Sequence, residues 1–259
     1  MADRLIFLGT GTGVPDGQRL PTALLIQRPT ETWVLDLGPG VLRAAVHHVG
    51  LRGIQGVLIT HFHLDHTADL AALFFALRNA PRVPERLTLV GPPGFRVFLH
   101  RLLEAFSLSP SPPRTQVHLQ ELAPGHTLAA QGGLRITAFS TFHTPESQGY
   151  RWDLPEVSFA YTGDTAYHPR LQEALQGIGG LITEASFLTP TEGHLTPEEA
   201  AQLAVEAGAQ TLAVVHRYPH QPESVWRQRL QEALPPRIRA IFPQDGEVWD
   251  LRELTGSGV

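Results

Sequence analysis

Two rhythms of apolar and polar residues run along this chain. Short apolar runs closed by glycine or polar residues come first: RLIFLG (4–9), TALLIQ (22–27) and TWVLDLG (32–38). Runs of this length between turn residues predict buried strands. GVLIT (56–60) and RLTLVG (86–91) predict two more. Between those two, HTADLAALFFALRN (66–79) carries Leu70, Leu73, Phe74 and Leu77 at helical spacing. GFRVFLHRLLEAF (94–106) predicts a second amphipathic helix, and the prolines of SLSPSPPRT (107–115) exclude helix interior and central strand there.

The later half repeats the arrangement. LRITAFST (134–141), VSFAYTG (157–163), LITEA (181–185), TLAVVH (211–216) and IRAIF (238–242) predict strands. PRLQEALQG (169–177) and PEEAAQLAVEAG (197–208) predict helices. The last is well marked, with Thr196 as N-cap, Pro197 at the first position, Glu199 closing a capping box and Gly208 as the stop. Strands interleaved with helices imply an α/β architecture of sheets covered by helices. Phe74, Phe75, Tyr150 and Trp152 are pocket candidates, although aromatics at such spacing more often build a core.

Composition narrows the chemistry. At 259 residues and 42% hydrophobic, the chain can bury a substantial core, and its length allows one or two domains. A net charge of −5 with 17% charged residues argues against a broad basic nucleic-acid surface. No cysteine is present, which excludes disulfides and thiolate ligands. The N-terminus lacks a signal-like pattern and no stretch has the length of a membrane helix, so a soluble cytoplasmic protein is expected, with no membrane partner.

Any metal must therefore be held by imidazole and carboxylate, and HFHLDH (61–66) offers both where the strand GVLIT ends. His61 and His63, two residues apart, point the same way on extended backbone. Asp65 and His66 fall where the chain turns into a helix and address another direction, so one cluster can feed two neighbouring ions. His143, Asp164 and His216 also follow apolar strands, and His194 lies in EGHLTP. A lone histidine in such a place is ordinarily surface polarity; several beside HFHLDH point to a distributed ligand set. His47, His48 and His126 lack that arrangement. The glycines of GTGTG (9–13) predict a tight turn near a cleft rim and lack a P-loop's lysine. Asp36 in VLDLG either braces the histidine cluster by hydrogen bonds or serves as a turn residue.

FLGTGTGVP (7–15), VLDLG (34–38), THFHLDH (60–66), His143, YTGDT (161–165), EASF (184–187), GHLTPEEA (193–200) and VVHRY (214–218) occur in one order. With them the chain resembles the metallo-β-lactamase superfamily, in its tRNase Z-like branch of phosphodiesterases. The resemblance implies one αββα sandwich domain over 1–259, with metals in a cleft at one sheet edge. It implies that His61, His63 and His143 bind one divalent ion, that Asp65, His66 and His216 bind a second, and that Asp164 bridges both. Zinc suits this set; manganese and iron are also allowed. It further implies hydrolysis by a metal-held hydroxide that Asp65 orients, with His194 assisting the leaving oxygen beside Glu184. The bland alternative for His194 is a hydrogen bond near the helix at 197.

Two departures bear on the substrate. Bacterial tRNase Z carries a long RNA-binding arm between the residues matching His143 and Asp164, and here that interval is 164 − 143 = 21 positions. Leu64 also replaces the usual glycine. Arg78, Arg82, Arg86, Arg96 and Arg101, and Arg227, Arg229, Arg237 and Arg239, read as solvated helix faces more than as phosphate contacts. The expectation is a phosphodiesterase for a small phosphodiester substrate, with RNA retained as a candidate. Carboxylic-ester or lactone hydrolysis and 3′-tRNA processing are the alternatives, and a non-catalytic binding protein is the reading from another class. Family analogy adds a homodimer.

Overall fold

The computed structural model describes residues 3–255. Its strands run, in chain order, β1 (Arg4–Gly9), β2 (Ala23–Gln27), β3 (Thr32–Leu35), β4 (Gly56–Leu58), β5 (Arg86–Gly91) and β6 (Gln116–Glu121). They continue as β7 (Thr127–Ala129), β8 (Arg135–Ser140), β9 (Gln148–Asp153), β10 (Ser158–Tyr161), β11 (Gly180–Glu184), β12 (Thr211–Val215), β13 (Arg239–Ile241) and β14 (Val248–Asp250). The first sheet has the order β14-β1-β2-β3-β4-β5-β6 and the second β13-β12-β11-β10-β9-β8-β7. Each is antiparallel on one side and parallel on the other, with β3 to β6 parallel in the first and β10 to β13 in the second.

Helices α1 (Val41–Gly53), α2 (Leu64–Thr67), α3 (Asp69–Asn79) and α4 (Phe95–Ala105) belong to the first half. Helices α5 (Leu171–Leu175), α6 (Pro197–Ala207) and α7 (Glu223–Ala233) belong to the second. Three apolar layers separate the four layers of secondary structure. Leu5 and Phe7 of β1 join Trp33, Trp152 and Phe159 between the sheets. Ile6 and Leu8 point the other way, into a layer with Leu73, Phe74 and Leu99 of the helices. A third layer packs Leu181 and Leu212 against Leu203 and Trp226. This is the period-two alternation of a strand, with both faces apolar because both are covered. The fold is an αββα sandwich.

The strands predicted from apolar runs form with small shifts at their ends, and α6 has the predicted capping box. The predicted helix 66–79 is divided into α2 and α3. The predicted helix 169–177 shortens to α5, because Pro169 and Gly177 confine it. Phe74, Tyr150 and Trp152 are core residues at 1% exposure or less, whereas Phe75 is 60% exposed. Among the described residues, no helix is long and apolar enough to cross a membrane.

Candidate metal centre

The parallel strands all end at one edge, and the polar residues of interest sit just past their carboxyl ends. This is where open α/β sheets place their ligands. Beyond β3 comes Asp36, and beyond β4 come His61 and His63, followed by Asp65 and His66 in α2. His143 follows β8, Asp164 follows β10, Glu184 ends β11 and His216 follows β12. His194 lies in the loop before α6.

These side chains converge. His61 Nε2 lies 3.1 Å from His63 Nδ1, which lies 2.9 Å from His143 Nε2. Beside them, His216 Nε2 is 3.4 Å from Asp65 Oδ2, and His66 Nε2 is 3.8 Å from the same oxygen. Asp164 stands between the groups: one oxygen is 4.0 Å from His61 Nε2, 3.8 Å from His143 Nε2 and 3.5 Å from His216 Nε2, and the other is 3.6 Å from His66 Nε2. His61, His63 and His143 form one potential ligand set and Asp65, His66 and His216 another. The same description fits His194 with His143 and Asp164, and with Glu184 and His216.

The donor chemistry fits two divalent cations. His66 Nε2 and Asp164 Oδ1 are buried with no hydrogen-bond partner, which is costly unless a cation meets them. Burial, reinforced by the charge of His66, holds His61 well below the usual imidazole pKa, and burial lowers His143 as well. Burial raises Asp65 and Asp164, but hydrogen bonding or charge from His216, with the charge of His66, outweighs it and keeps both carboxylates ionised. Burial lowers His66 and His216, yet the charge of Asp164 dominates and lifts both above the ordinary value.

A second ring of contacts fixes the rings. Asp36 is wholly buried and accepts from Thr60 N at 2.8 Å, His66 Nδ1 at 2.8 Å and the Tyr161 hydroxyl at 3.0 Å. With Nδ1 donating, His66 turns Nε2 toward the cluster. Gly193 O accepts from His143 Nδ1 at 2.9 Å. Ser186 Oγ lies 2.9 Å from His216 Nδ1 and donates to Glu184. Glu184 also accepts from Thr165 N and from His194 Nδ1, both contacts being 2.8–2.9 Å. Burial lowers the His194 pKa, but the hydrogen bond and charge of Glu184 carry it above the ordinary value.

Backbone geometry serves the same end. Asp36 and His216 adopt φ of 61° and 52°, a left-handed conformation uncommon outside glycine. His216 N donates to Thr10 O at 3.0 Å, so the GTGTG turn clamps this residue. A Cβ on Gly13 would meet the Asp65 carboxylate at 3.1 Å, and one on Gly38 would meet Asp65 O at 1.8 Å. The turn lies against the cluster, as expected of it.

All nine residues singled out by sequence are brought together, and Asp36 braces His66. Thr60, Tyr161, Thr165 and Ser186 were not singled out. They lie within or beside the same motifs, but a hydroxyl at a strand end carries no signal until its partner is placed. His47, His48 and His126 lie elsewhere, in α1 and in the loop before β7. Arg227 and Arg229 are paired with Glu223 and Glu198.

A family model described as "Beta-lactamase superfamily domain" matches residues 32–217. The ribonuclease Z of Mycobacterium marinum is 30% identical over 243 aligned positions, covering 83% of this chain and 86% of that protein. The metallo-β-lactamase fold protein YhfI of Bacillus subtilis superposes with a TM-score of 0.82 at 22% identity, over 96% of this chain and 100% of that one. The short form of human tRNase Z gives 0.74 at 21% identity, over 96% and 99%. The chain belongs to the metallo-β-lactamase superfamily and, within its ribonuclease Z-like branch, is a metal-dependent hydrolase of the tRNase Z-like phosphodiesterase type.

Proposed function

We propose that the chain hydrolyses a small phosphodiester at a two-zinc centre. His61, His63 and His143 would hold one ion, Asp65, His66 and His216 would hold the other, and Asp164 lies where it could serve both. The observation that carries this reading is the pair of orphaned atoms, His66 Nε2 and Asp164 Oδ1, buried within the convergent cluster. Two divalent cations, when bound there, would supply Lewis acidity at phosphoryl oxygens and lower the pKa of water at the site.

The protein's own groups do the rest. Asp65 is the most exposed of the carboxylates, at 18% for its side chain, and orients the attacking water by accepting a hydrogen bond from it. Glu184 engages His194 Nδ1 and leaves Nε2 for substrate. Because Glu184 favours the protonated imidazole, His194 carries a proton to hand to the departing oxygen. Ser186 ties His216 to the same carboxylate, so the leaving side and one metal ligand share a support.

The short connection between β8 and β9 favours a small substrate. Ser140 pairs with Gln148, so only residues 141–147 lie between the strands. The long arm that grips RNA in bacterial tRNase Z has no counterpart in this turn. Processing of precursor tRNA is the second reading, supported by the relatives named ribonuclease Z.

His194→Ala tests the assignment. Turnover of bis-p-nitrophenyl phosphate should fall by about 10²–10⁴, the usual worth of a general acid, while two zinc equivalents are retained. Loss of one equivalent instead would make His194 a ligand. Side-by-side assays with a cyclic nucleotide, a lactone and a precursor tRNA decide the substrate. Lactone turnover without any phosphodiester cleavage would refute the proposal.

A further inference from the structure

β11 and β12 lie parallel with Glu184 opposite Val215. Three residues past that pair, each chain presents an aromatic ring, Phe187 on one and Tyr218 on the other. The rings meet with centroids 4.7 Å apart. Phe187 packs edge-on to His194 at 5.2 Å, and Tyr218 stands 6.2 Å from His216. Phe187 N also donates to Leu195 O, which holds this ring beside the His194 loop. The two aromatics therefore flank the leaving side of the site.

They are not filling a core. Trp152 and Phe159 are fully buried, whereas Phe187 and Tyr218 are both only half-buried. The other tyrosines have occupied hydroxyls: Tyr150 on Ile59 O, Tyr161 on Asp36 and Tyr167 on Glu206. Among the described residues, the Tyr218 hydroxyl has no hydrogen-bond partner. Half-exposed rings, tilted 34° to each other, with an idle polar tip beside an acid suit a planar leaving group, since ring stacking is tolerant of ring identity.

We infer that Phe187 and Tyr218 form a stacking wall for a planar ring, aryl or nucleobase, carried on the leaving oxygen of the phosphodiester. This rests on the phosphodiesterase reading and adds a specificity to it. The wall selects phosphodiesters with an aromatic or nucleoside leaving group over those with a purely aliphatic one.

Phosphomonoesters whose ester oxygen can occupy the leaving position test the wall without the bias of leaving-group reactivity. Methyl phosphate, phenyl phosphate and uridine 5′-monophosphate are titrated against bis-p-nitrophenyl phosphate turnover of the zinc-loaded protein. Phenyl phosphate or the nucleotide should inhibit roughly five- to a hundredfold more tightly than methyl phosphate, the worth of one stacked ring. The Phe187→Ala, Tyr218→Ala double variant should bring that ratio near one, with methyl phosphate inhibition and zinc content retained. Tyr218→Phe should keep the ratio, and Tyr218→Leu, which preserves bulk, should lower it even where the double variant folds poorly. The larger of the two ring-bearing ratios identifies aryl or nucleobase as the preferred ring. A ratio near one in the wild type, or a ratio that survives in the folded Leu variant, overturns the wall while leaving the phosphodiesterase reading intact. Absence of bis-p-nitrophenyl phosphate turnover by the zinc-loaded wild type would refute that reading and this inference with it.

Discussion

Asp36→Asn tests how the second half of the metal set is prepared. The substitution keeps the side chain's shape, and asparagine tolerates the φ of 61° found there. What changes is the acceptor count. One carboxylate oxygen meets Thr60 N at 2.8 Å, and the other meets His66 Nδ1 at 2.8 Å and the Tyr161 hydroxyl at 3.0 Å. An amide must set its NH₂ against one of these. Facing Thr60 N, it sets two N–H donors against each other in a wholly buried place. Facing His66, it forces Nδ1 to accept, which moves the ring proton to Nε2 and blocks the nitrogen that faces the cluster. Loss of such an outer partner typically costs 10–100-fold in metal affinity, or about 1.4–2.8 kcal/mol. Zinc titration against a competing chelator should show the site of Asp65, His66 and His216 weakened by that factor. The site of His61, His63 and His143 should be less affected. Nitrogen NMR of His66 in the metal-free variant should show the exchanged tautomer. A folded variant binding both equivalents with wild-type affinity would refute the reasoning.

Other consequences are equally concrete. Protons compete with metal at His66 and His216, whose pKa values are raised, so stability from their protonated forms is present in acid and lost as pH rises through those values. The depressed Asp65 and Asp164 act oppositely, adding stability that is lost only as pH falls through their lowered values. Melting with zinc and with chelator from pH 5 to 9 should therefore show a gap that widens with pH; a constant gap contradicts the assigned ligands. Gly38→Ala drives a methyl into Asp65 O at 1.8 Å and should cost about 1–3 kcal/mol or more, with weakened metal binding in the same titration. Wild-type melting and zinc content in that variant would mean the loop bearing Asp65 is freer than its packing implies.

The sequence is most readable where burial is symmetric. β1, β2 and β12 are apolar on both faces, so a plain apolar run announces them. β6 is an edge strand and largely exposed, and QVHLQE has too little apolar content to stand out. β9 mixes Gln148, Gly149 and Arg151 with buried Tyr150 and Trp152, and its strand character comes from neighbours on both sides. Helix α1 buries only Val41, Leu42 and Ala45 and contains a break at Gly50. For the centre, the five ligand histidines and His194 are visible by type and order, and Asp65 and Asp164 by their place in the same motifs. The hydroxyls that orient them are common residues whose roles depend on strands distant in sequence, so Ser186 and Thr60 become legible only in three dimensions.

The two sheets give the ligand set a further meaning. The first half of the chain supplies His61, His63, Asp65 and His66, and the second supplies His143, Asp164 and His216. Neither candidate set is complete within one half. The halves are joined by packing, by the linker at β6–β7, by β14, which returns to pair with β1, and by hydrogen bonds such as those of Tyr161 to Asp36 and His216 N to Thr10 O. Ions held between them would act as cross-links, because neither ligand set exists until the two halves dock. Metal uptake is then expected to report assembly of the whole sandwich, and its removal to loosen the seam between halves before either sheet, which hydrogen exchange with and without chelator would show.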